Sequence, residues 1–315
     1  MADQLTIPER ASTSAQAAIE QADHAMRNWR DASPDPLRPG SPQHLRMFCD
    51  MLLQTHNPYK PAVIEWPRLA PEALRRVVSL PIWDIAVQTE GHAAVRVRSF
   101  AATVRQPLLR AALEMDGAEE ARHKEVLSKL VQAYDIALAP EPLYPPPADP
   151  EWGWLVTGYS ECIDSFFAFG LFAAAQRSGF FPAELVETFE PVIQEECRHI
   201  LFFVNWAAWY RRNLPRWRRP LFAFKVARAW GFLLWERLAM ARGIDTDGMA
   251  RDANFTMNGS AALGQALSAR AMIELCLAEN ARRMAGYDPR LLRPETVPRL
   301  ARLALRLLRR PAPVV

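Results

Sequence analysis

Two segments of the sequence repeat a five-residue pattern that combines carboxylate and imidazole side chains. Residues 119–123 read EEARH and residues 195–199 read EECRH. In each segment the second Glu and the His are three residues apart, which places them about 60° apart on one face of a helix. A Glu and a His in this arrangement can bind the same metal ion. A single E-x-x-H is weak evidence, but two copies that share the neighbouring Glu and Arg favour a metal site.

A further glutamate is expected opposite each E-x-x-H segment. In an antiparallel helical hairpin, residues equidistant from the turn lie opposite each other. Glu90 and Glu120 have their midpoint at residue 105, beside a proline that begins a helix. Glu161 and Glu196 have theirs between residues 178 and 179, in a Ser-Gly pair that ends a helix. This register predicts that four carboxylates and two imidazoles converge.

The charge of this cluster indicates what it binds. Four buried carboxylates would cost a large free energy unless cations compensated them. Two divalent cations would neutralise four negative charges. Mixed carboxylate and imidazole ligands suit iron or manganese, whereas zinc is more often bound by thiolates or by fewer, tighter ligands.

The motifs resemble those of ferritin-like di-iron carboxylate oxidases and oxygenases. The E-E-x-R-H form is similar to the (D/E)-E-x-R-H of bacterial multicomponent monooxygenase hydroxylases and acyl-carrier-protein desaturases, over about residues 80–210. The resemblance implies two iron ions, with manganese as an alternative, and O2 as a co-substrate. It implies that Glu120 and Glu196 bridge the two ions. The implied metal ligands are Glu90, Glu120, His123, Glu161, Glu196 and His199.

Three departures separate the chain from particular members of that group. Leu127 stands where a radical-generating ribonucleotide reductase subunit carries a Tyr, one turn after the first His. Val192 stands where the p-aminobenzoate N-oxygenase type carries a third His. The sequence also lacks the CxxC pairs of rubrerythrin. No particular subfamily is therefore indicated.

The elements that must position these residues are helices. Only 13 glycines occur in 315 residues, and alternating β-branched runs are few. Six prolines between residues 140 and 150 exclude a helix there and predict a long crossover. Two hairpins joined by one crossover are the layout of a ferritin-like four-helix bundle in an all-α protein. Helices are predicted near residues 14–30, 43–55, 81–104, 107–134, 153–177, 182–212, 220–242, 260–285 and 298–309.

Breaker-rich stretches suggest three parts of the chain. Residues 1–60 are predicted to form an N-terminal helical and proline-rich extension, and residues 61–214 the di-metal four-helix bundle. Residues 215–315 are predicted to form a C-terminal helical extension.

Charged residues next to the ligands are candidates for an outer layer of the site. Arg122, Arg198, Asp116 and Asp164 are expected to orient the ligands through hydrogen bonds, with Asp164 as a candidate histidine partner. The alternative is ordinary pairing on a helix surface.

Small and apolar residues near the ligands are candidates for a substrate pocket. Small side chains would leave room for O2 and an organic molecule, and aromatic ones would form an apolar wall. Close helix packing and a plain core explain the same residues and stay open as alternatives. The candidate pocket residues are Ala86, Ala94, Gly158, Ile193, Phe202 and Phe203.

The segment 205–242 combines five tryptophans with many arginines. Such a stretch can lie on a membrane surface or bind a partner. It can equally cover the bundle with extra helices or form a homodimer interface. Peripheral membrane contact and a homodimer therefore stay open.

Composition sets broad limits on compartment and partners. A net charge of +3 does not indicate nucleic-acid binding. The four cysteines are far apart, which is typical of reduced thiols. The N-terminal residues lack the apolar core of a signal peptide, and no apolar run reaches the length of a membrane span. We therefore expect a cytoplasmic protein.

The combined expectation is an O2-activating di-iron oxidase or oxygenase. It would hydroxylate, desaturate or N-oxidise a small apolar or amphipathic organic substrate. No flavin or ferredoxin motif is present, so a separate reductase or ferredoxin would supply electrons. Three alternatives stay open: an iron-oxidising or peroxide-scavenging ferritin-like protein, a membrane-surface quinone or lipid hydroxylase, and a purely structural or interaction bundle in which the six ligand residues coincide by chance.

Overall fold

The computed structural model describes residues 9–61, 66–241 and 268–308, and this part of the chain confirms the prediction of an all-helical protein. Ten α-helices and no β-strand are found among the described residues. The helices are α1 (Glu9–Arg27), α2 (Pro42–Gln54), α3 (Pro71–Val78), α4 (Trp83–Ala101), α5 (Pro107–Ala133), α6 (Pro150–Arg177), α7 (Ala183–Asn213), α8 (Arg218–Ala241), α9 (Ala269–Met284) and α10 (Thr296–Leu307).

Local sequence fixes where the central helices begin and end. α5 and α6 each begin with a proline, whose missing N–H would have no partner inside the helix. Asp149 caps α6, since its carboxylate accepts a hydrogen bond from the backbone N–H of Trp152 at 3.0 Å. Gly179, with a φ of +66°, allows the tight turn between α6 and α7. The proline-rich residues 134–149 connect α5 to α6 without a helix.

Helices α4 to α7 surround the predicted site. α4 packs against α5 and α6, and α7 packs against the same two helices. Each of the four helices therefore contacts two of the other three. α2 lies against α5 and α7, while α8, α9 and α10 cover α6.

Two hydrophobic clusters lie on either side of the predicted ligands along these helices. The larger cluster contains Trp154, Phe202 and Trp206, all fully buried. The smaller cluster contains residues from α3, the start of α4 and the end of α5, among them Val77 and Leu130. The polar residues between the clusters are therefore held in a water-poor layer.

The observed helices differ from the predicted ones in a few places. Helix α3 was not predicted; it has only eight residues and is held by burial of Ala73 and Val77. The helix predicted from residue 81 begins at Trp83. Part of the predicted helix 260–285 lies outside the described residues, as do residues 1–8, 62–65 and 309–315. Within the described ranges, the longest apolar stretch of any helix falls short of what a bilayer crossing requires.

Candidate metal centre

Helices α4, α5 and α7 bring four of the predicted ligands together. One potential ligand atom from each of Glu90, Glu120, His123 and Glu196 lies within 4.8 Å of the others. His123 Nδ1 is 3.1 Å from Glu196 Oε1 and 3.7 Å from Glu90 Oε2. His123 is fully buried, so this group lies inside the protein. Three carboxylates and one imidazole in this arrangement could hold one metal ion.

A second group overlaps the first. Asp116, Glu120 and His199 have ligand atoms within 4.8 Å of one another. His199 Nδ1 lies 2.8 Å from Glu120 Oε1, and His199 Nε2 lies 3.8 Å from Asp116 Oδ1. Glu120 belongs to both groups, which is the placement that a bridging carboxylate needs.

Glu161 and Asp116 do not lie where the sequence predicts them relative to the other ligands. Glu161 lies outside both compact groups, although it lines the same cavity as Glu120 and Glu196. Asp116, expected in the outer layer, is part of the second group. Asp116 precedes Glu120 by one helical turn on α5, so the two carboxylates project from the same face.

The first glutamate of each E-E-x-R-H segment binds the histidine of the other segment. His199 Nε2 and Glu119 Oε2 are 2.8 Å apart, and His123 Nε2 and Glu195 Oε2 are also 2.8 Å apart. Each carboxylate accepts the Nε2–H of its histidine, and this leaves each Nδ1 directed at the ligand groups. Such partners fix the orientation and tautomer of a metal-binding imidazole.

The arginines follow the same crossed arrangement. Arg198 Nη1 donates to Glu119 at 2.9 and 3.0 Å, and Arg122 Nη2 donates to Glu195 at 2.5 Å. His56 also contacts Glu119, with its Nδ1 2.6 Å from Oε1. Each of the two buried carboxylates is therefore balanced by a guanidinium from the opposite helix.

Asp164 pairs with an arginine and a serine. Arg237 of α8 donates to its carboxylate at 2.6 Å, and Ser160 donates to the same oxygen at 2.9 Å. Glu119 and Glu195 are partners of His199 and His123, a role that was not predicted from the sequence. The doubled Glu in both motifs was the available signal.

The same electrostatics shift the pKa values of the ligands. Burial, together with the negative charge of Glu196, raises the pKa of Glu120 well above its usual range. Burial also raises the pKa of Asp116, to about 6. Burial opposes the charged form of His199, but the surrounding carboxylates outweigh it and raise the pKa of His199. In the absence of cations, protons must therefore compensate part of the negative charge.

Buried polar atoms that lack a hydrogen bond indicate whether the site suits metal ions. His123 Nδ1, His199 Nδ1, Glu120 Oε1 and both oxygens of Glu161 and of Asp116 are buried and make no hydrogen bond with suitable geometry, although His199 Nδ1 and Glu120 Oε1 are only 2.8 Å apart. Each such atom costs about 1–3 kcal/mol unless something binds it. They are nitrogen and carboxylate-oxygen donors, and all except those of Glu161 belong to one of the two groups. The donor set fits divalent cations such as iron or manganese.

A third cluster of potential ligands does not fit a cation. His56, Glu119 and Glu195 also bring ligand atoms within 4.8 Å of one another. However, Arg198 and Arg122 already donate hydrogen bonds to these carboxylates. Their guanidinium charges would repel a metal ion. We therefore infer that this cluster holds the two histidines in position and does not bind a metal ion.

A cavity of about 180 Å³ opens onto the ligands. Glu90, Glu120, Glu161 and Glu196 form part of its wall. Most of the remaining wall is apolar, and for comparison a dry cavity of about 150 Å³ binds benzene. The apolar wall residues are Ile82, Trp83, Ala86, Ala93, Leu127, Ala168, Phe172, Phe181, Phe189, Val192 and Ile193.

The predicted pocket residues divide between this cavity and the core. Ala86 and Ile193 line the cavity. Phe202 and Phe203 are fully buried in the larger hydrophobic cluster, away from the lining. The Phe203 ring fills the space that a side chain at Gly158 would need, so this glycine allows close helix packing instead of widening the pocket. Ala94 is buried but does not line the cavity.

Comparison of the chain with protein-family models, with curated proteins and with solved structures found no match.

Proposed function

We propose that the chain is a di-iron oxidoreductase that uses O2 to oxidise a small apolar organic substrate, built on a ferritin-like four-helix bundle. The observation that carries this proposal is the overlap of two largely buried ligand groups beside an apolar cavity. Glu120 belongs to both groups, and Glu120 and Glu196 also face the cavity. A molecule in the cavity would therefore lie directly beside bound metal ions.

The two groups indicate which residues would hold the ions. Glu90, Glu120, His123 and Glu196 would hold one ion. Glu120, His199 and Asp116 would hold the other, and Glu161 offers a further carboxylate from the cavity wall. Two iron ions bound there would supply electrons for the reduction of O2 and a position at which O2 reacts. Manganese is the alternative metal for the same donors.

The protein's own side chains would prepare the site. Glu119 and Glu195 would hold His199 and His123 with Nδ1 directed inward, because each accepts the hydrogen bond from Nε2. Arg198 would keep Glu119 ionised, since it donates to this carboxylate in a buried environment, and Arg122 donates to Glu195 from the opposite helix. The carboxylates at the centre would release their protons when cations bind.

The cavity would select and hold the substrate. Its aromatic residues Trp83, Phe172, Phe181 and Phe189 favour an apolar molecule and exclude water from the reacting end. A substrate a little larger than benzene suits its volume of about 180 Å³. A separate reductase or ferredoxin is the proposed electron donor. The iron-oxidising alternative would need the same ligands but no apolar cavity.

Anaerobic loading of the full chain with Fe(II), followed by O2 and toluene as the probe, tests this function. We expect toluene-dependent O2 consumption and transfer of ¹⁸O from ¹⁸O2 to an aromatic product in the presence of a chemical reductant. Glu120→Gln should abolish both, and Glu125→Gln, an exposed change on the same helix, should preserve them. Iron oxidation with no organic product from toluene or from other small apolar compounds would favour the iron-handling alternative.

A further inference from the structure

Helix α8 exposes a row of large apolar side chains that is interrupted between Phe224 and Leu234. Their positions repeat at helical spacing along its outer side, and between 47% and 71% of each residue is exposed. The opposite side of α8 is buried against the protein through Phe222, Ala229 and Leu233. The exposed row consists of Trp217, just before the helix, with Leu221, Phe224, Leu234, Trp235 and Leu238.

Helix α10 has the same character. Leu300, Leu303 and Leu307 are between 50% and 78% exposed. α8 and α10 both pack on α6, where Trp230 and Ala301 contact one hydrophobic cluster around Phe166. The two helices therefore cover the same element of the fold.

Nearly all the charged residues of α8 and α10 are basic. Together they carry eight basic residues and one carboxylate, and that carboxylate, Glu236, is fully buried. The net charge of the whole chain is only +3, so these two helices carry more net positive charge than the chain as a whole. Within the described ranges, five of the eight form no salt bridge: Arg218, Arg219, Arg228, Arg302 and Arg306.

We propose that α8 and α10 form a docking face for the surface of an anionic phospholipid bilayer. Helices that lie in a bilayer surface combine apolar side chains with Arg or Lys and avoid exposed carboxylates, as this face does. Trp217 and Arg218 lie side by side at its start, and both types favour the boundary between lipid and water. A second copy of the chain would bring an equally basic face into contact, so charge disfavours a dimer here.

The docking face lies next to the cavity. Arg237 of α8 binds Asp164 and Ser160 of α6, and both of these residues line the cavity. An apolar molecule dissolved in the bilayer would therefore be near the cavity wall. The docking itself does not depend on metal binding or on the proposed reaction.

Flotation of the full chain with lipid vesicles tests the docking face. The probes are vesicles of phosphatidylcholine alone and vesicles with about one third phosphatidylglycerol. We expect binding to the anionic vesicles, little binding to the neutral ones, and release at 0.5 M NaCl, since salt screens the attraction. Arg302→Gln should weaken the binding about fivefold, which corresponds to about 1 kcal/mol for one basic residue near the surface.

Apolar contact is tested by a matched pair of variants. Phe224→Asp should weaken binding about tenfold or more, because it places a charge where an exposed ring would enter the lipid. Leu143→Asp, at a site 93% exposed in the crossover, should leave binding unchanged. Unchanged thermal stability would show that both variants fold.

Three outcomes would overturn the proposal. Equal binding to neutral and anionic vesicles, or equal binding of Phe224→Asp and wild type, would exclude this face as an anionic-lipid site. A dimer that Phe224→Asp converts to monomer, without vesicle binding by the wild type, would assign the face to a second copy of the chain.

Discussion

Glu119 on α5 accepts a hydrogen bond from Nε2 of His199 on α7, with the two atoms 2.8 Å apart. The reverse pair, Glu195 on α7 and His123 on α5, has the same separation. The repeated motif therefore does more than supply ligands: each copy orients the histidine of the other. This exchange couples α5 and α7 across the centre of the protein.

Glu119→Gln should weaken metal binding without removing the site. The glutamine lacks the charge that steadies His199 and Arg198, and loss of such a partner typically costs about 10–100-fold in metal affinity. Titration with Fe(II) under anaerobic conditions measures this change. At saturation the variant should still bind as many ions as the wild type.

Glu114→Gln is the matched control, because Glu114 lies on the same helix but is exposed. It should bind Fe(II) as the wild type does. Equal affinities of Glu119→Gln and wild type would contradict the supporting role of Glu119.

The sequence alone predicts much of the site because helical geometry is regular. The three-residue spacing of Glu120 and His123 already places them on one face. The pairing of Glu119 with His199 was not predictable in the same way. It depends on the rotation and distance between α5 and α7, which are set by side-chain packing at their contact.

Filling the cavity should prevent binding of small apolar molecules. In the wild type, toluene at about ten times its Kd should stabilise the fold by about 1.4 kcal/mol, seen as a rise in Tm. Ala168→Phe places a ring in the cavity and should abolish that rise. The control Ala111→Phe, at an exposed position on α5, should retain it. A toluene-dependent rise in Tm that survives Ala168→Phe would place the binding site elsewhere.

Glu190→Gln should lower stability in a manner that depends on pH. Burial tends to raise the pKa of Glu190, but Arg283 and Arg27 donate to it and hold its pKa below the ordinary value of 4.5. The ionised form therefore adds stability that is complete above pH 4.5 and is lost as pH falls through the lowered pKa. We expect a loss of about 1–3 kcal/mol at pH 7.

Urea unfolding at pH 7 and at pH 3 measures this difference, which should shrink at the lower pH. Glu72→Gln is the control, since Glu72 pairs with Arg76 but its side chain is 78% exposed. That change should alter stability by about 0.5 kcal/mol or less. An equal loss for Glu190→Gln at both pH values would contradict the assigned ion pairs.

The fold was predictable where local signals are strong. Prolines and caps place the starts of α5 and α6, and both begin within a few residues of the predicted positions. α3 was not predicted, because a helix of eight residues shows little hydrophobic periodicity and depends on tertiary packing. Gly158 was open to two interpretations, and only the position of the Phe203 ring distinguishes a pocket from close packing.

Metal content after anaerobic loading tests the central claim most directly. The full chain is incubated with excess Fe(II), freed of unbound metal by gel filtration, and measured by inductively coupled plasma mass spectrometry. We expect about two iron ions per chain in the wild type and in Glu125→Gln, from one ion at each of the two overlapping ligand groups. Glu120→Gln and His199→Ala should retain one ion or none. A wild type that binds no iron, or variants that keep both ions, would contradict the assignment of this cluster as a di-metal site.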